Sequence, residues 1–100
     1  MAQFDLYKGP SSSADYLIDL QDDMLQNLST RVVAPLVAPD KLGPPMKTLN
    51  PRIWIGGEPY ILLLHLLAAI PATTLGSLVA SAKSQRTDII GAIDLLFTGI

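Results

Sequence analysis

The sequence predicts a mainly β fold: antiparallel strands first, and one C-terminal α-helix last. Three observations carry that reading. Phe4 and Leu6, then Tyr16, Ile18 and Leu20, alternate with other residues on either side of Gly9-Pro10-Ser11-Ser12-Ser13, which is turn chemistry. Two apolar runs flank Gly56-Gly57 in the middle of the chain. From Thr87 onward the apolar period lengthens from two residues to that of a helix.

The first pair of runs is a hairpin turning through residues 9–13. Residues 31–37 are rich in valine but contain Pro35, which has no N–H to give to a ladder, so this strand is expected at an edge or carrying a bulge. Residues 40–51 hold Gly43-Pro44-Pro45 and Asn50-Pro51 and read as a long loop. Residues 52–55 and 60–67 read as a strand pair around Gly56-Gly57-Glu58-Pro59, the glycines supplying positive φ. Propensity alone favours a helix over residues 62–69. Pro71 breaks the run, and residues 75–80 give one more short strand or a turn. Ser84 or Thr87 then opens the helix as N-cap; Ser84 has no Glu or Gln three residues on, but Asp88 suits the positive end of the helix. Ile90, Ile93, Leu96, Phe97 and Ile100 follow Ile89 at offsets of one, four, seven, eight and eleven, forming one stripe away from Asp88, Gly91, Asp94 and Thr98. Core packing explains such a stripe; its continuation to Ile100 suggests that the helix end itself is used.

With 49% hydrophobic and only 16% charged residues, a chain of 100 residues has too little interior to hide its apolar surface. A hydrophobic face shared with a second copy, a homodimer, is the expectation. Net charge is -2, and Asp5, Asp15, Asp19, Asp22 and Asp23 face only Lys8 near the start, so direct nucleic-acid binding through a basic face is not expected. The absence of cysteine excludes a disulfide framework, a thiolate nucleophile and Cys-ligated zinc, and suits a reducing cytoplasm. Met1-Ala2-Gln3-Phe4-Asp5 has neither the basic nor the apolar region of a secretory signal. Residues 59–82 carry no Asp, Glu, Lys or Arg and have the hydropathy of a membrane span, but Pro71 and the polar Ala72-Thr73-Thr74-Leu75-Gly76-Ser77 weigh against one, and no membrane association is expected.

No catalytic constellation assembles. His65, the single histidine, sits within Leu62-Leu63-Leu64-His65-Leu66-Leu67 without an orienting carboxylate and reads as structural, at a sheet or dimer interface. Asp22 and Asp23 are adjacent, so a strand would point them to opposite faces; with Asp19 they read as a solvated acidic turn, not a metal cage. Gly56-Gly57 precedes a strand and no Lys-Ser/Thr follows, which excludes a phosphate loop. Trp54 projects opposite to Ile53 and Ile55 and is assigned to core or dimer packing. Arg31, Lys41, Lys47 and Arg52, interspersed with Asp40 and Glu58, describe an ordinary surface. No cofactor and no metal are implied.

Five pieces of the chain, taken in order, resemble the CcdB family of plasmid-addiction toxins. Ile18-Asp19-Leu20-Gln21-Asp22-Asp23 is similar to its V-D-V-Q-S-D segment, and Arg31-Val32-Val33-Ala34-Pro35-Leu36 to its R-x-V-I-P-L strand. Ile53-Trp54-Ile55-Gly56-Gly57-Glu58 resembles V-H-I-G-D-E, and Ala69-Ile70-Pro71-Ala72-Thr73-Thr74-Leu75-Gly76 resembles S-V-P-V-S-V-I-G. The C-terminal pattern D-I-x-x-A-I-x-L-x-F-x-G-I completes the set. Residues 8–16 have little counterpart, and Thr98 stands where the best-known member has Trp.

The resemblance implies an SH3-like barrel of antiparallel strands with one C-terminal helix, the fold shared by CcdB and the MazF/Kid toxins, as a single domain over residues 1–100. There it favours strand over helix at residues 62–69. It further implies a non-enzymatic, homodimeric, cytoplasmic toxin of a type II toxin-antitoxin module that binds the A subunit of DNA gyrase, traps its DNA-cleavage complex, and is neutralised by a CcdA-like antitoxin folding on its surface. Carried over by position, the gyrase-binding residues are Met24, Leu25 and Gln26 from the turn after the second strand, with Asp94, Thr98, Gly99 and Ile100 from the helix end. The alternatives are a MazF/Kid-type ribonuclease on the same fold, a degenerate non-toxic homologue, and a membrane-inserting small protein.

Overall fold

The computed structural model describes residues 2–11, 14–41 and 48–99. Among them are seven strands and one α-helix: β1 (Asp5–Ser11), β2 (Ala14–Asp19), β3 (Thr30–Val37), β4 (Arg52–Ile55), β5 (Glu58–Leu62), β6 (Ala68–Pro71), β7 (Leu78–Ser81) and α1 (Arg86–Thr98). All pairings are antiparallel, in the order β4-β5-β3-β2-β1-β7, with β6 also on β3. The sheet curls around α1, as the strands-then-helix pattern predicts.

The first hairpin forms, but with a tighter connection than expected. β1 runs on through Gly9-Pro10-Ser11, and the remaining turn residues, Ser12 and Ser13, lie outside the described ones. The register shifts between Lys8 and Ser11, and a Cβ on Gly9 would lie 1.8 Å from the Ala14 carbonyl oxygen, so only glycine fits there. Gly56 and Gly57, at φ 59° and 81°, make the two-residue turn between β4 and β5.

Two expectations are corrected here. β3 is a central strand, not an edge: it pairs with β2 on one side and with β6 and then β5 on the other. Pro35 is tolerated because its C=O, and hence its ring nitrogen, faces the gap between β6 and β5; the carbonyl accepts from Leu63 N–H at 2.9 Å and no N–H is called for. Residues 60–67 are not one strand, nor is there a helix over 62–69. β5 ends at Leu62, a single 3-10 turn spans Leu64–Leu66, and β6 begins at Ala68. The long charge-free stretch thus folds as short strands and turns, and among the described residues no helix is long and apolar enough to cross a membrane.

The concave face carries the main core: Leu6, Ile18, Ala34, Leu36, Ile53 and Leu62 meet Ile89 and Ala92 of α1. Phe4 joins it in the left-handed region at φ 68°, tied by its N–H to the Asp19 carbonyl at 2.6 Å and by its C=O to Ala82 N–H at 2.8 Å. On the opposite face, residues 72–77 cross from β6 to β7 over β2, and Ile70 and Leu75 pack on Ala14, Leu17 and Val33. Asp19 and Arg31 share that outer face and are fully buried.

α1 is not opened by Ser84 or Thr87. Its N-cap is Gln85, which makes no side-chain cap bond. Its amide instead reaches the free edge of β4, accepting from Trp54 N–H at 2.9 Å and donating to the Arg52 carbonyl at 2.7 Å. That pair of bonds imitates a neighbouring strand and ties the start of α1 to the last strand of the curled sheet.

Candidate functional site

The turn after β2 is built by three side chains in succession. Asp22 Oδ1 accepts from Met24 N–H at 2.8 Å, opening a 3-10 turn over Asp23–Leu25, and Asp23 Oδ1 accepts from Gln3 N–H at 2.6 Å. Gln21, buried, donates from Nε2 to the Leu25 carbonyl at 2.9 Å while its Oε1 accepts from Val32 N–H of β3 at 3.1 Å. Each of the two aspartates therefore commits one carboxylate oxygen to a backbone N–H group. With both aspartates so committed the turn holds its shape and presents Met24, 90% exposed, and Leu25, 49% exposed, to solvent.

Behind the turn lies a group that sequence reasoning assigned wrongly. Arg31 is not a surface charge and Asp19 is not part of a solvated turn: the two form an ion pair with no exposed side-chain surface. Arg31 Nε and Nη2 both donate to Asp19 Oδ2, at 3.0 and 2.5 Å, and Asp19 Oδ1 accepts from Gln21 N–H at 3.0 Å. A hydrogen-bonded chain thus runs from Arg31 through Asp19 and Gln21 to the turn that carries Met24 and Leu25. Arg31 Nη1 is buried without a partner among the described residues. The phenol of nearby Tyr7 is raised above its usual range, first by burial, then by Asp5 and Asp19, with Arg31 opposing.

At the other end of the site, α1 stops on Gly99, whose φ of 76° allows its N–H to cap the Leu95 carbonyl at 3.1 Å. Thr98 is exposed and its hydroxyl donates to the Asp94 carbonyl at 2.7 Å, so this side chain is turned back on its own helix. Asp94 is exposed as well. Ile100 lies outside the described residues.

A groove of about 400 Å³ joins the two ends of the site. Leu25 and Leu28 from the turn region face Ile93 and Phe97 of α1, with Val32 and Leu67 between. Of the expected residues the structure brings Leu25 to this groove; Met24 and Gln26 flank it on the turn, and Asp94, Thr98 and Gly99 stand on the helix beside Phe97. Phe97, read as part of the buried stripe, is instead 67% exposed. Leu28 and Phe97 were not assigned to the site, although Phe97's place at the end of an apolar stripe was the available signal.

The remaining candidates fall elsewhere. His65 is exposed on the 3-10 turn, its Nδ1 3.3 Å from Asn50 Nδ2. Trp54 alternates with buried Ile53 and Ile55 as expected, but is 55% exposed and packs in no core cluster. Among the described residues no group of three or more His, Asp and Glu side chains is placed to hold a metal.

A solved structure described as an endoribonuclease in complex with its cognate antitoxin, from mycobacterial species, is similar to this one with a TM-score of 0.72, over 94% of this chain and 91% of that one. At 9% identity the likeness defines the architecture alone: a curled antiparallel sheet closed by a C-terminal helix. The sequence then places the chain within that class. It belongs to the CcdB family, matching the CcdB protein description over residues 3–99.

Proposed function

We propose that this CcdB-family protein is the toxin of a type II toxin-antitoxin module, a cytoplasmic homodimer that binds the A subunit of DNA gyrase, traps the DNA-cleavage complex and is neutralised by a CcdA-like antitoxin. The observation that supports this most is the shared groove: the turn bearing Met24 and Leu25 and the end of α1 border one apolar surface. A poison needs a shaped surface that favours one conformation of its target, and apolar residues held out on a buttressed turn supply one.

The likeness to an endoribonuclease favours a second reading, RNA cleavage on the same fold. Against it, Asp19 and Arg31 are paired with each other out of reach of any RNA. A gyrase DNA-cleavage assay run beside an RNA-cleavage assay separates the two: the proposal requires accumulation of cleaved DNA with gyrase and intact RNA, and the reverse pattern rejects it.

A further inference from the structure

We propose that the cavity between β4 and the first two turns of α1 is a binding site for a single nucleotide unit, with its base on Trp54 and its phosphate on Arg52. The cavity measures about 480 Å³ and lies apart from the groove at the other end of the helix. Arg52 and Trp54 line it from the exposed face of β4, where they stand two residues apart, while Thr87, Asp88 and Gly91 line it from α1. The strand and the helix are pinned together there by the two Gln85 bonds to Trp54 N–H and the Arg52 carbonyl, so the walls are held at fixed separation.

The chemistry of the lining selects the ligand. An indole left 55% exposed beside a cavity is a stacking surface for a flat ring. Arg52, exposed and in no ion pair among the described residues, offers its guanidinium to a phosphate. Asp88, on the opposite wall, accepts from a ribose hydroxyl or an exocyclic amine, and the hydroxyls of Thr48 and Thr87 add donors. A nucleotide uses every one of these groups. A guanidinium ligand would satisfy Trp54 and Asp88 but be repelled by Arg52. The acidic chain lacks an extended phosphate track, and one nucleotide does not require one. The site goes beyond the gyrase proposal and shares no residue with it.

Trp54 is the only tryptophan, so its fluorescence reports the site directly. The full chain is titrated with nucleoside 5′-monophosphates, uncharged nucleosides, inorganic phosphate, and short single-stranded RNA and DNA. Saturable quenching by the monophosphates is expected, with nucleosides about tenfold weaker and R52Q reducing the monophosphates to the nucleoside level. Gly91 lines the cavity and meets nothing within 4 Å of an added Cβ, so Gly91→Leu sets its side chain into open space there and favours the helix; it should abolish quenching at an unchanged circular dichroism spectrum. Oligonucleotides binding more tightly than the monophosphates identify a strand as the source, and equal binding identifies free nucleotide. Absence of saturable quenching by any of these ligands, equal quenching by inorganic phosphate, or saturation unchanged in both variants overturns the assignment. Gyrase cleavage measured on Gly91→Leu should stay at the wild-type level, so failure here leaves the gyrase proposal standing.

Discussion

Asp19 and Arg31 form a buried ion pair on the outer face of the sheet. Two opposite charges without exposed side-chain surface are tolerable only together, and Arg31 Nη1, buried without a partner among the described residues, carries a cost. Asp19→Asn should therefore destabilise the fold by about 3–5 kcal/mol in urea unfolding, because it leaves a buried cation unpaired. Replacing both with apolar residues should cost less than that. Tyr7 adds a pH dependence of opposite chemistry. Its raised pKa means that the folded chain keeps the phenol neutral where the unfolded chain ionises, so its contribution is intact below about 10 and lost as pH rises beyond. Stability measured across the alkaline range should fall less steeply for Tyr7→Phe than for wild type. The alternation of Ile53, Trp54 and Ile55 was legible in the sequence because a strand's period is local. The ion pair was not, since Asp19 and Arg31 meet only through the register that sets Asp19 opposite Val33.

At the level of elements, the two hairpins and the final helix followed from pattern, but the boundaries that failed did so for tertiary reasons. Pro35 argued for an edge, and the position of its ring at the break between β6 and β5 overrode that argument. Ser84 and Thr87 had the chemistry of caps, but Gln85 occupies the N-cap and its amide closes the sheet edge instead. The turn after β2 was legible as acidic; that its acids hold backbone N–H groups so that Met24 stands exposed required the structure. Gln21→Ala should remove the link between that turn and β3 and weaken gyrase binding by roughly tenfold, with a near-unchanged circular dichroism spectrum. A variant that binds as wild type would show that the turn is shaped without Gln21.

For the whole molecule, an apolar excess at this size points to a shared face, and Leu66, Leu78 and Val79 stand exposed away from the groove. Sedimentation at micromolar concentration should give a dimer; a wild-type monomer would remove the shared face. The central claim is that turn and helix end together hold gyrase on cleaved DNA, and it is tested most directly by a gyrase DNA-cleavage assay comparing the full chain with one ending at Thr98. Losing Gly99 and Ile100 removes the left-handed cap and the terminal residue but none of the core contacts of α1 at Ile89 and Ala92. The account predicts accumulation of cleaved DNA with the full chain and none above background with the folded, shortened one; equal cleavage by both would contradict it.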